Sequence, residues 1–169
     1  MRGRDRRSRG QTSVEFIIAW GTLVLPMTLA IIFTCSVLWT WHGVNEYTRQ
    51  GADYAATHCW QSTATNVLDY MRTNVPPVIN QEQFRSGPAE ISVAYFGKDA
   101  ATGQLIEFQC DTECSPNCIP DAVTIRVRGV EYRGFFTSLG LPPIVMPDFA
   151  TSLPMESAGC DPEQGSCLP

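Results

Sequence analysis

Two sets of side chains in this sequence have the type and spacing to do chemistry. The first is one carboxylate, Glu15, which follows Gly10 by five residues and stands just before an uncharged apolar run. A lone carboxylate at the mouth of such a run is costly if drawn into lipid, so it is either held at the interface or paired with a specific cation. The second set is six cysteines outside that run: Cys59, Cys110, Cys114, Cys118, Cys160 and Cys167. An even number of cysteines in an exported segment points to disulfides, and sequence alone leaves their pairing open. A zinc site is the rival chemistry, but Cys110, Cys114 and Cys118 stand four apart and lack the closer pairs that zinc knuckles use. His42 and His58 are the only histidines, and both read as packing or surface residues. Asp111 and Glu113 read as acids of a solvated loop without a calcium-loop signature. No Ser/His/Asp arrangement, phosphate-cradling glycine loop or HExxH is present. The expectation is a protein that is not an enzyme and uses no cofactor or metal.

The element that must position Glu15 is the apolar run. Residues 16–41 contain no charge. At about 1.5 Å per residue such a helix spans roughly 39 Å, more than the ~30 Å hydrocarbon core of a bilayer. Trp39 and Trp41 close its far end, where indole rings favour the membrane–water interface. The run is too long for the apolar core of a secretory signal peptide, and no small-residue cleavage pattern follows it directly. Pro26 stands near its middle and predicts a kink. Cys35 reads as a small apolar residue of the span, and Thr22, Thr28, Thr34 and Ser36 as residues able to aid helix packing.

Charge is divided along the chain. The formal net charge is −5, yet residues 1–10 carry five arginines (Arg2, Arg4, Arg6, Arg7, Arg9) and one acid, Asp5; the remainder holds seven basic and sixteen acidic side chains, or −9. Arginines before a span predict a cytoplasmic N-terminus and an exported C-terminal body. An acidic body lacks the basic footprint that nucleic-acid binding needs, so no nucleic acid is expected as a partner.

The junction itself, Arg9-Gly10-Gln11 with Ser13-Val14-Glu15-Phe16, resembles the processing signature of type IV prepilins, and more closely the start of TadE-like proteins. These are minor pilins or pseudopilins of tight-adherence (Tad/Flp) pilus systems. Beyond the span, Arg49-Gln50-Gly51-Ala52-Asp53-Tyr54-Ala55-Ala56 is similar to the R-x-G-A-x-Y-A stretch of that family. The likeness covers about residues 8–57; the cysteine set is no hallmark of it. The resemblance implies a prepilin peptidase cutting between Gly10 and Gln11, and Glu15 as the fifth residue of the mature chain, its carboxylate meeting the freed α-amino group of a neighbouring subunit. It implies as partners that peptidase, other pilin or pseudopilin subunits and the Tad assembly machinery, at the cytoplasmic (inner) membrane. The organisation expected is a cleaved basic leader at 1–10, a transmembrane helix at 11–41 and an exported α+β head at 42–169. The alternative is a single-pass membrane-anchored extracytoplasmic binding module with a disulfide-stabilised head.

The head has its own periodicities. Val44, Tyr47, Gly51, Tyr54, Ala55 and His58 lie on one helix face, and Val67, Leu68 and Met71 continue an apolar face until Pro76-Pro77. Gly51, Ala52, Ala55 and Ala56 permit close approach, first of all within the domain core. The period then becomes two: Ile91, Val93, Tyr95; Ile106, Phe108, Cys110; Val123, Ile125, Val127. These predict three half-buried strands, with residues 97–104 as a hairpin loop. Residues 135–154, broken by prolines, predict a wrapping segment with an edge strand near 149–153. The fold class is therefore α+β: a long N-terminal transmembrane helix continuing into a small antiparallel, pilin-like sheet domain.

Overall fold

The computed structural model describes residues 5–60, 65–110, 114–134, 137, 140–155, 157–161, 163, 166 and 167 and, in the first helix, the side chains from Thr12 onward. It is an α+β protein, a long apolar helix followed by a small antiparallel sheet domain. The chain divides into two units, Met1–Leu38 and Trp39–Pro169.

The first unit is helical throughout its described length. Helix α1 (Asp5–Ala19) passes into a π-helical turn at Trp20–Val24, and α2 (Leu25–Thr57) follows. Pro26 gives the turn its cause. Proline has no N–H and its ring collides with the carbonyl four residues earlier; widening the preceding turn, with the Leu25 N–H donating to the Trp20 carbonyl, accommodates it. The hydroxyls of Thr22, Thr28, Thr34 and Ser36 each donate to a carbonyl four residues back in their own helix, at 2.6–2.9 Å. That satisfies polar atoms in an apolar segment without a partner helix.

In the second unit, α2 buries Val44, Tyr47, Thr48, Gly51, Ala52 and Ala55. Tyr54 and His58 are only half-buried: the Tyr54 ring stacks on Tyr70 of α3 (Thr65–Thr73) with one face and on His58 with the other. Helix α3 buries Val67 and Met71 beneath Gly51, and a short helix α4 (Glu82–Arg85) buries Gln83 and Phe84.

The main sheet has the order β2-β1-β3-β6, all neighbours antiparallel. Strands β1 (Glu90–Lys98) and β3 (Ala122–Arg128) match the alternation in the sequence, and Val123, Ile125 and Val127 are fully buried. Strand β6 (Phe149–Pro154) is the edge strand anticipated near 149–153. One strand is shorter than expected. β2 (Leu105–Glu107) ends before Phe108, and Ile106 is 53 % exposed. The Phe108 ring folds over Gly97, where a Cβ would meet it at 3.1 Å, and Cys110 leaves the sheet for a disulfide. Two small ladders, β4 (Glu131–Tyr132) with β5 (Ile144–Val145) and β7 (Cys160–Asp161) with β8 (Ser166–Cys167), carried no period signal. Phe135 and Phe136, at the start of the expected wrapping segment, lie outside the described residues, as do Asp111 and Glu113.

The unit has two ends. The Trp41 ring meets Phe149 (centroids 6.4 Å), which pairs with Val127, itself opposite Ile91. At the other end Trp60 packs edge-on against Tyr95 and Phe108. The stretch Trp41 to Trp60 thus runs in the same sense as β1.

Candidate processing and assembly site

Gly10, Gln11 and Glu15 all lie in α1. On a helix, positions 11 and 15 are one turn apart on the same face, with Cβ atoms about 5–6 Å apart. Glu15 is exposed, as are the apolar side chains of residues 16–32. Gly10 has a different consequence. Glycine inside a helix costs about 1 kcal/mol relative to alanine, so Gly10 weakens α1 locally.

Thr12–Thr57 is the helical stretch long and apolar enough to cross a membrane by length and composition. Its apolar window is not buried against the rest of the protein, which fits an anchor and not a core helix. Cys35, in this stretch, is an exposed free thiol.

The part of α2 that belongs to the second unit packs into its core. Arg49 reaches Glu46 at 2.8 Å and Asp53 at 3.5 Å on the outer face. On the inner face Gly51 leaves room for the thioether of Met71, whose sulfur would lie 2.5 Å from a Cβ there. Tyr54 is stacked between His58 and Tyr70, each at 3.8 Å between centroids. The small residues thus serve packing within the domain. Residues 10–53 match the family model for TadE-like protein. This segment is TadE-like. The match covers about a quarter of the chain and ends inside α2, so the TadE-like part contains Gly10, Gln11, Glu15, the π-turn and the start of the docking face. No curated protein and no solved structure matches the chain.

The six cysteines are joined as Cys59–Cys114, Cys110–Cys118 and Cys160–Cys167. The first two bridges surround Trp60, whose indole N–H donates to the Cys118 carbonyl at 2.6 Å. The third closes the β7–β8 hairpin, which sits against the end of α2. There Gly159, at φ +69°, leaves no room for a Cβ, which would fall 2.7 Å from the Thr57 carbonyl oxygen. Trp60 and Gly159 are the residues sequence reasoning missed; the position of Trp60 directly after Cys59 was the available signal. His42 is exposed, and the Nδ1 of His58 lies 3.0 Å from the Tyr54 carbonyl. Among the described residues, no group of three His, Cys, Asp or Glu side chains is placed to hold a metal ion.

Proposed function

We propose that this chain is a TadE-like minor pilin or pseudopilin that acts in the assembly of a Tad-type pilus. In this reading a prepilin peptidase cuts it between Gly10 and Gln11, and the single helix anchors it in the cytoplasmic membrane with the head outside. The observation that carries the reading is the family match over residues 10–53 falling on one apolar helix, with Gly10 and Glu15 five residues apart at its entrance. TadE-like proteins are structural, and the work assigned here is assembly with other pilus components in a membrane. Glu15 supplies the charge that pairs with the new α-amino group of a neighbouring subunit, so that neither charge enters lipid or fibre alone.

Co-expression with a prepilin peptidase tests the first step. The expected product is ten residues shorter and begins at Gln11 by N-terminal sequencing. A chain that keeps its arginine leader would favour the simple anchored binding module. Glu15→Ala tests the second step, and should be processed yet lost from assemblies. Incorporation equal to the parent would remove the assembly role from Glu15.

A further inference from the structure

The head exposes apolar side chains at both ends, but with different surroundings. Among the described residues of the second unit, one group is Leu105 and Ile106 on the edge strand β2. The other is Leu141, Ile144 and Val145, on and just before β5, with Val145 66 % exposed. A two-stranded ladder that leaves such residues in water loses the apolar burial that would stabilise it, so the second group calls for a partner.

Its position within the unit names the partner. The Met146 N–H donates to the Val130 carbonyl at 2.8 Å, and Glu131 and Tyr132 pair with Val145 and Ile144. Val130 follows closely on Val127, the partner of Phe149, whose ring meets Trp41. The β4–β5 ladder therefore belongs to the Trp41 end, the end at which the chain enters the head. Trp39 and Trp41 are also exposed there, at 69 % and 48 %.

Charge follows the same axis. At the Trp41 end three acids face two arginines: Asp148 lies 3.1 Å from Arg128, Glu131 lies 2.9 Å from Arg133, and Glu90 stands opposite Arg128 in the sheet register. At the other end Asp99, Glu107 and Asp121 stand at or beside the strand ends with one basic residue, Lys98, whose backbone N–H donates to the Asp121 carboxylate. An anionic surface would repel the second end more strongly than the first.

We infer that the β4–β5 ladder is a second membrane contact: Leu141, Ile144 and Val145, with Trp39 and Trp41, rest on the lipid surface. The occupant is the bilayer and not another protein, because the tether beginning at Trp39 holds this end at high local concentration beside lipid. Aromatic and aliphatic side chains backed by arginine are the composition that interfacial binding uses. The inference rests on the anchor part of the proposed function and is independent of cleavage and pilus assembly.

The test uses the full chain, with Cys35→Ala, in vesicles of mixed zwitterionic and anionic phospholipid. A polarity-sensitive fluorophore is placed in turn at Val145→Cys, Leu141→Cys, Ile106→Cys and Leu23→Cys. Labels at 145, 141 and 23 should show blue-shifted emission, be quenched by spin-labelled lipid and be shielded from aqueous iodide. A label at 106 should behave oppositely. If 145 and 141 match 106 while 23 remains lipid-like, the contact does not exist and the anchor stands. If 23 is also water-like, the anchor reading fails and the contact with it. A blue shift at 145 without lipid quenching, accompanied by Val145→Cys cross-linking between copies, would assign the surface to a second copy and overturn the inference.

Discussion

The two ends of the head are closed by different means. Around Trp60 the backbone is mostly loop, and the local ladders are two or three residues long. Ladders that short cannot offset the conformational entropy of the segments they tie, and three disulfides join the chain there. At the Trp41 end, among the described residues, no disulfide is present; closure relies on hydrogen bonds and fitted backbone. Gln83 clamps Glu131 from both sides, its amide donating to the Glu131 carbonyl at 2.7 Å and its carbonyl accepting the Glu131 N–H at 2.8 Å. Gly129, at φ +68°, turns where any Cβ would collide with the Pro88 carbonyl. Tyr47 meets Phe84 edge-on and donates its hydroxyl to the Met71 carbonyl at 2.6 Å. Each end carries a two-residue ladder, yet one is closed by covalent bonds and the other by polar complementarity.

Breaking the covalent end should have the largest effect. Cys59 and Cys114 enclose a separation of 55 residues, against 8 and 7 for the other bridges. Chain entropy then gives about 4 kcal/mol for the long bridge and roughly 2.5 kcal/mol for each short one. Denaturant unfolding of the full chain in detergent micelles should show Cys59→Ser/Cys114→Ser as the most destabilised pair. Breaking the other end at Gln83→Ala should cost about 2 kcal/mol, since two buried backbone groups lose their partner together.

The smallest effects separate the two tyrosines. Tyr47→Phe deletes a made hydrogen bond and should cost about 1 kcal/mol, while Tyr95→Phe should be neutral or slightly stabilising. The Tyr95 hydroxyl is buried without a partner among the described residues. Burial pushes the Tyr47 hydroxyl far up, and the Tyr95 hydroxyl up to about 12. Both folded values lie above the ordinary 10.0, so the folded state holds its protons longer. Stability from this source is intact below pH 10 and is lost as pH rises through about 12. An alkaline titration of unfolding should show a shallower loss in Tyr95→Phe.

The sequence carried the anchor and the central strands clearly, because both rest on period and composition. An uncharged run long enough to cross a bilayer has few other uses, and the alternation at Val123, Ile125 and Val127 fixes one strand face. Ile106 shared that alternation and is nonetheless exposed, since an edge strand is buried only as far as something covers it. The Cys59–Cys114 bridge and the Gln83–Glu131 clamp join segments far apart in sequence, so local pattern contains neither. Pro26 signalled a disturbance without its form: a kink and a π-turn both accommodate a missing N–H. The candidate site at Gly10, Gln11 and Glu15 rests on spacing and family likeness, while Trp60 was hidden among residues that any core would use.

The π-turn at Trp20–Val24 also sets a limit on how the anchor meets its neighbours. One extra residue in a turn rotates everything beyond it by about 100° relative to an uninterrupted helix. A stripe that starts at Glu15 is therefore out of phase with the stripe that continues past Leu25. A straight companion helix lying along the first stripe loses the second.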